Sequence, residues 1–289
     1  MATVREKGYT HWEGRLGERR FPWWPITRTG ILLAFRKKRF KFVFAVAFGP
    51  AIVALVGLYI SERLEDFKAF IQDSNLIDIG PKYFATFFMN DWLLFMILLV
   101  LAYGAGGLIA DDLKHNSLQL YFSRPLGKKD YFAGKMSVVA FFVLIFTALP
   151  GLLLIVFKLV FAGSFAFFLQ YPWLPLSVLG YSAMLTVFFG FYILLMSALS
   201  KNSRYVFVLT FGTYIFSTVL FGILNGIFKT PYMALFSIPA NLQQARAFIF
   251  GLKLPHAFPA GWSLAVLAGI CGLAAVVLNR KIRSVEVIK

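Results

Sequence analysis

Apolar positions in this chain gather into long blocks. Six of them, Phe42 to Ile60, Trp92 to Ala110, Ser137 to Phe157, Leu174 to Leu199, Val206 to Phe228 and Pro259 to Asn279, contain no Asp, Glu, Lys or Arg. A helix needs ~20 apolar residues to cross ~30 Å of hydrocarbon, where every backbone polar group has to be paired internally. All six blocks come close to or exceed that length. They predict an all-α integral membrane protein with six transmembrane helices, residues 42–279. A tail at 1–41 and another at 280–289 lie outside it, and the even count places both tails on one side.

The segments between the blocks are patterned too. From Arg19 to Lys41 the chain combines Trp23 and Trp24, an apolar stripe at Ile31, Leu32, Leu33 and Phe35, and cations at Arg36 to Arg39. This predicts an amino-terminal amphipathic helix lying in the interface, apolar side on the acyl boundary and cations at the phosphates. Ser61 to Asp91 holds Glu62, Glu65, Asp66, Asp73 and Asp78 and predicts a short amphipathic helix without chemistry. Between Lys229 and Phe258, the runs Pro231–Ile238 and Ala245–Gly251 are too apolar for a free loop and too short to cross, so this segment is re-entrant or lies at the outer interface. Asn241, Gln243, Gln244 and Arg246 within it either face a permeation mouth or cap and solvate a surface helix. Pro150, Gly151, Gly180 and Gly190 mark kinks or close helix packing.

Composition agrees with a membrane chain. Of 289 residues, 59% are hydrophobic and 15% charged, against ~45–50% and ~25% in soluble domains. The net charge is +16, and its cations are unevenly placed. With the amino terminus in the cytoplasm, 22 of the 29 Lys and Arg face inward: eleven up to Lys41, five from Lys114 to Lys135, Lys201 and Arg204, and four after the last block. The positive-inside rule favours that orientation in an inner (plasma) membrane. Anionic lipid headgroups are then the natural partners of this basic face, and nucleic acid is not. Ten Lys or Arg in the first forty residues, with no early apolar core, predict no secretory signal peptide.

Candidate chemistry is sparse. Cys271 stands alone in an apolar run, and His11, His115 and His256 match no local metal-ligand spacing. No ionisable side chain lies inside the blocks, which disfavours an ion-driven carrier. The phosphate-binding pattern GxxxxGK[ST] is missing: Gly134 and Lys135 are followed by Met136, and Lys129 stands where the first Gly belongs. GxSxG is missing as well. These features predict a chain that is not an enzyme and holds no metal or cofactor, so any nucleotide drive belongs to another subunit.

The most specific stretch is 111–135, between the second and third blocks. Asp111 and Asp112 suit the start of a short helix, Leu118, Leu120, Tyr121 and Phe122 give it an apolar side, and Ser123 to Gly127 carry breakers. Taken alone, it reads either as an amphipathic helix along the inner face or as a basic loop that only sets orientation.

In Asp112, Asn116, Ser117, Leu118, Ser123, Arg124, Pro125, Gly134 and Lys135 the stretch resembles the ABC-2 type permease subunits of ABC transporters. That family includes the permease of the nitrous-oxide-reductase maturation system. Here Asp replaces the commoner Glu, Asn116 the commoner Gly, and Arg124 precedes Pro125. The resemblance implies an exporter permease working as a homodimer with a separate ABC ATP-binding subunit, which carries the ATP and Mg. It makes 111–135 the coupling segment, with Asp111, Asp112, Asn116, Ser117, Leu118, Tyr121, Ser123, Arg124, Pro125 and Lys135 at the contact. Asp112 would cap the short helix or pair with a partner Arg, and Lys135 would dock or bind a headgroup. The second and fifth spans would wall the path. Thr210, Thr213, Tyr214, Ser217 and Thr218 give the fifth a polar side that lines the path or hydrogen-bonds between helices. The competing readings are a membrane scaffold or assembly factor, and a lipid-modifying enzyme.

Overall fold

A computed structural model describes residues 21–63, 80–122, 126–163 and 165–286. Its described residues are mostly helical, with no strand among them. Helix α1 (Trp24–Arg36) precedes span 1, which is broken into α2 (Lys38–Val46) and α3 (Gly49–Arg63). After α4 (Pro81–Met89), span 2 consists of α5 (Asp91–Gly104) and α6 (Gly107–Lys114). The short α7 (Ser117–Phe122) leads to span 3, made of α8 (Lys128–Phe146) and α9 (Ala148–Ala162). Then come α10 (Ala166–Gln170), span 4 (α11, Leu174–Leu199), span 5 (α12, Ser203–Phe228), a 3-10 turn (Pro231–Phe236), α13 (Ile238–Ile249) and span 6 (α14, Ala260–Glu286). Six helical segments are long and apolar enough to cross a membrane, so this is a multi-pass membrane protein.

The helices outrun the apolar blocks. Span 3 starts at Lys128, nine residues before the third block, because the Asp130 carboxylate accepts the Gly127 N–H and caps its first turn. Its 35 residues would measure ~52 Å at 1.5 Å per residue, so its charged first turns stand clear of ~30 Å of hydrocarbon. It breaks at Thr147 because Pro150 cannot donate to the Phe146 carbonyl one turn back. Two expectations need correcting. Asp111 and Asp112 do not start the short helix; they lie in the last turn of α6, and α7 starts only at Ser117. The amino-terminal helix ends at Arg36, and Lys38 to Lys41 already belong to span 1.

Spans 2, 3 and 4 make the core, with 72%, 61% and 67% of their apolar windows buried, against 17% to 22% for spans 1, 5 and 6. Span 4 is central, packing on spans 3, 5 and 6 and on α6. Close approach depends on small residues. A Cβ on Gly151 would sit 2.7 Å from Val178, and one on Gly190 would collide with Met136, whereas Gly180 is exposed and meets nothing. At the joint of α1, span 1 and span 3, Phe35, Phe40, Phe44, Phe142 and Phe146 form a run of ring contacts, most of them edge-on.

Helix α1 is not simply afloat in the interface. Ile26, Thr27, Gly30 and Ala34 are buried, and Thr27 Oγ1 donates to the Gly134 carbonyl of span 3 at 3.1 Å. The stripe expected to meet lipid is divided: Leu32 and Leu33 are exposed, while Ile31 and Phe35 pack partly on the core. Ile26, Leu118, Tyr131 and Ile282 form one buried cluster, so α1, the connection between spans 2 and 3, and the end of span 6 share one end of the bundle.

Candidate functional site

The connection between spans 2 and 3 is a stiff elbow. Helix α6 stops where the His115 N–H donates to the Asp111 carbonyl at 3.1 Å. The next residue, Asn116, has φ +53°, a left-handed conformation that Asn tolerates better than most side chains. That reversal redirects the chain into α7. Leu118, 1% exposed, anchors α7 against Ile26, Tyr131 and Ile282.

Beneath α7 lies a buried ion pair. Lys135 Nζ is 2.7 Å from Asp112 Oδ2, with side-chain exposures of 7% and 14%. The Tyr131 hydroxyl donates to the same oxygen at 2.7 Å, and the ammonium lies 5.2 Å and 5.7 Å from the ring centres of Tyr131 and Tyr121. Burial, reinforced by the Asp112 carboxylate, pushes the Tyr121 phenol above its usual range. Tyr131 and Lys135 can share this carboxylate because four residues apart on a helix is one face. The pair ties the last turn of span 2 to the first turns of span 3.

These contacts revise the roles expected from the resemblance. Asp112 neither caps α7 nor points outward, and Lys135 faces Asp112 instead of a headgroup. Asp111 folds back over Gly107. Tyr121 and Ser117 are half-buried, and Asn116 is exposed together with Lys114 and His115. Ser123, Arg124 and Pro125 lie outside the described residues.

The polar side of span 5 is an inner seam. The Tyr192 hydroxyl of span 4 lies 2.6 Å from the Thr210 carbonyl and 2.5 Å from Thr213 Oγ1. Thr210 is buried and donates to the Val206 carbonyl. Ser217 Oγ donates to the Tyr214 carbonyl at 2.7 Å and accepts the Ile238 N–H at 3.2 Å. Tyr214 is half-buried, and Thr218 is the exposed member of the set. Four of the five, Thr210, Thr213, Ser217 and Thr218, therefore hydrogen-bond between or within helices.

At the far end, the polar residues before span 6 neither solvate a surface helix nor face a mouth. Asn241, Gln244 and Arg246 are buried and Gln243 half-buried. Asn241 Nδ2 donates to the Leu235 and Ser237 carbonyls at 2.8 and 2.7 Å. Gln244 donates to the His256 and Phe258 carbonyls and accepts the His256 N–H, clamping the return to span 6. Arg246 Nη1 donates to the Ala85 carbonyl of α4 at 2.8 Å. Burial lowers its pKa below the usual guanidinium range and lowers that of His256 below the usual imidazole range.

Two structural residues escaped sequence reasoning. Ser197 Oγ donates to the Gly106 carbonyl at 2.7 Å and accepts the Ile109 and Ala110 N–H groups at 3.0 Å, pinning the break in span 2 to span 4. The Gly106-Gly107 pair within the second apolar block was the available signal. Tyr131 was the other, signalled by its spacing from Lys135. No protein-family model and no curated protein matches this chain.

Proposed function

We propose that this chain is the membrane-spanning subunit of an ABC-2 type exporter, paired with a second copy and driven by a separate ATP-binding subunit that seats on the elbow. The carrying observation is the buried Asp112–Lys135 pair with Tyr131. A push on α7 is delivered to two spans at once, because the pair joins them where they leave the hydrocarbon. A loop without such a tie would absorb the same push. Lys114, His115 and Asn116 form the exposed edge on which the ATP-binding subunit acts. The cation asymmetry supports an orientation with the elbow and both tails in the cytoplasm, and the proposed membrane is a bacterial-type inner membrane. Span 5 leaves Val208, Ile215, Val219 and Ile223 exposed, an apolar face for the second copy.

Co-purification of the tagged chain from native membranes tests this reading. The wild-type chain is expected to bring down an ATP-binding subunit with vanadate-sensitive ATPase activity, and Lys114→Glu/His115→Glu to lose it while remaining folded. A folded wild-type chain that never retains an ATP-binding subunit would overturn the proposal in favour of a scaffold.

A further inference from the structure

A second basic feature sits at the elbow end, beside the elbow itself. Where α1 gives way to span 1, the chain is extended at Lys37, and a crevice opens between the start of span 1, span 2 and the start of span 5. Lys37, Lys38, Arg39 and Arg204 line it, with Tyr103 and Phe207 among its apolar residues and no acidic residue in its wall. Lys37 Nζ donates to the Tyr103 carbonyl at 3.2 Å. Lys38, Arg39 and Arg204 are exposed, and among the described residues none of the three is ion-paired to a carboxylate.

The apolar wall continues away from the cations. Tyr103 and Phe207 have ring centres 5.4 Å apart, Phe207 and Phe211 4.8 Å, and Phe211 and Phe95 5.5 Å. Phe95 precedes Tyr103 by eight residues on α5, about 12 Å along the helix. Phe95 is exposed, and Phe207 and Phe211 are half-exposed, so the stripe is open to the membrane.

We infer that this crevice is a binding site for one anionic phospholipid. Its phosphodiester would meet Lys38, Arg39 and Arg204, and an acyl chain would follow the aromatic stripe between spans 2 and 5. A cluster of cations at a membrane boundary, set between spans, suits a lipid phosphate. The stripe selects a lipid over a free anion, which has no use for 12 Å of aromatic wall. A second copy of this chain is a poor occupant, since it would bring the same four cations. The site borders the elbow through Lys37 but has none of the elbow's Asp112, Tyr131 and Lys135 in its wall, and it does not depend on the proposed transport function.

The test uses the purified full chain in phosphatidylcholine bicelles, doped with phosphatidylglycerol and then stripped with detergent, with retained lipid read by mass spectrometry of the intact protein. The wild type is expected to retain phosphatidylglycerol in preference to phosphatidylcholine. Lys38→Gln/Arg39→Gln/Arg204→Gln is expected to bind it about ten-fold or more weakly. The control Lys114→Gln/Lys129→Gln/Arg280→Gln removes three exposed cations elsewhere at the same end and should retain it. Equal retention of the two lipids by the wild type, or equal loss in both triple variants, overturns the site. Displacement of the lipid by inorganic phosphate would instead assign a free-anion site and overturn the lipid. If the first triple variant does not fold, Arg204→Gln alone replaces it, with the same two readings.

Discussion

The two ends of the bundle hold their buried cations by different means. At the elbow end Lys135 is matched by the Asp112 carboxylate, which also accepts the Tyr131 hydroxyl, and by two aromatic faces. At the far end Arg246, 5% exposed, has the Ala85 carbonyl, and its Nε finds no acceptor. Around it the joints are made by neutral amides: Asn241 and Gln244 fasten the segment before span 6 to itself. A matched charge pair joins two spans at a single point and resists their separation. The amide clamps hold the loop's shape, and single hydroxyls, Ser217 and Tyr181, fasten it to spans 5 and 4. The elbow end is joined by charge, the far end by neutral hydrogen bonds.

The sharpest way to break that contrast is to remove one charge from each end. Lys135→Met strands a carboxylate that is almost buried and should cost about 3–5 kcal/mol of unfolding free energy, measured by denaturant titration in bicelles. Adding Asp112→Leu should restore most of that loss, because the lone charge is gone. If the double variant is no more stable than Lys135→Met, the pair is not the tie described here.

Ser197→Ala removes an acceptor of two backbone N–H groups and a donor to the Gly106 carbonyl. It should cost about 2–3 kcal/mol and raise hydrogen exchange at Ile109 and Ala110. Gln244→Leu at the far end should cost about 1–3 kcal/mol and speed exchange at the His256 amide without disturbing the elbow. Arg246→Met should move stability least, by about 1 kcal/mol or below, since it trades one hydrogen bond for relief of an unmatched cation. A loss as large as that of Lys135→Met would show that the far end hides a counter-charge.

Acid separates the ends in the same direction. Burial depresses the His256 pKa, so folding is fully supported while the ring is neutral in both states, above the unfolded value of ~6.5. As pH falls below that value the unfolded chain takes up the proton first, and stability declines until the folded-state pKa is passed. His256→Gln should flatten this part of the stability profile between pH 7 and 5, by a fraction of a kcal/mol.

Some of this architecture was legible from residue order. Six apolar blocks specified six crossings because hydrocarbon admits only long apolar helices. The Pro150 region announced its break, and the runs flanking Asn241 announced a segment neither free nor spanning. Helix ends were not legible where charge and helix coincide. Asp111 and Asp112 read as the start of the short helix, and Lys128 and Lys135 fall outside the third apolar block, yet the first two end span 2 and the others open span 3 because Gly127 and Asn116, not polarity, set the boundaries.

By itself the sequence determined the membrane class, the number of crossings and the crowding of cations at one end, since each follows from transfer free energies that depend on residue type and local order. Tertiary structure alone decided that Asp112 meets Lys135, that Ser197 pins a broken span, that the polar side of span 5 faces Tyr192, and that four cations surround a crevice with an aromatic wall. The three side-chain pairings join residues 18 to 91 positions apart and the crevice brings Arg204 to Lys38, and nothing in local periodicity carries the rotation of one helix against another that brings them together.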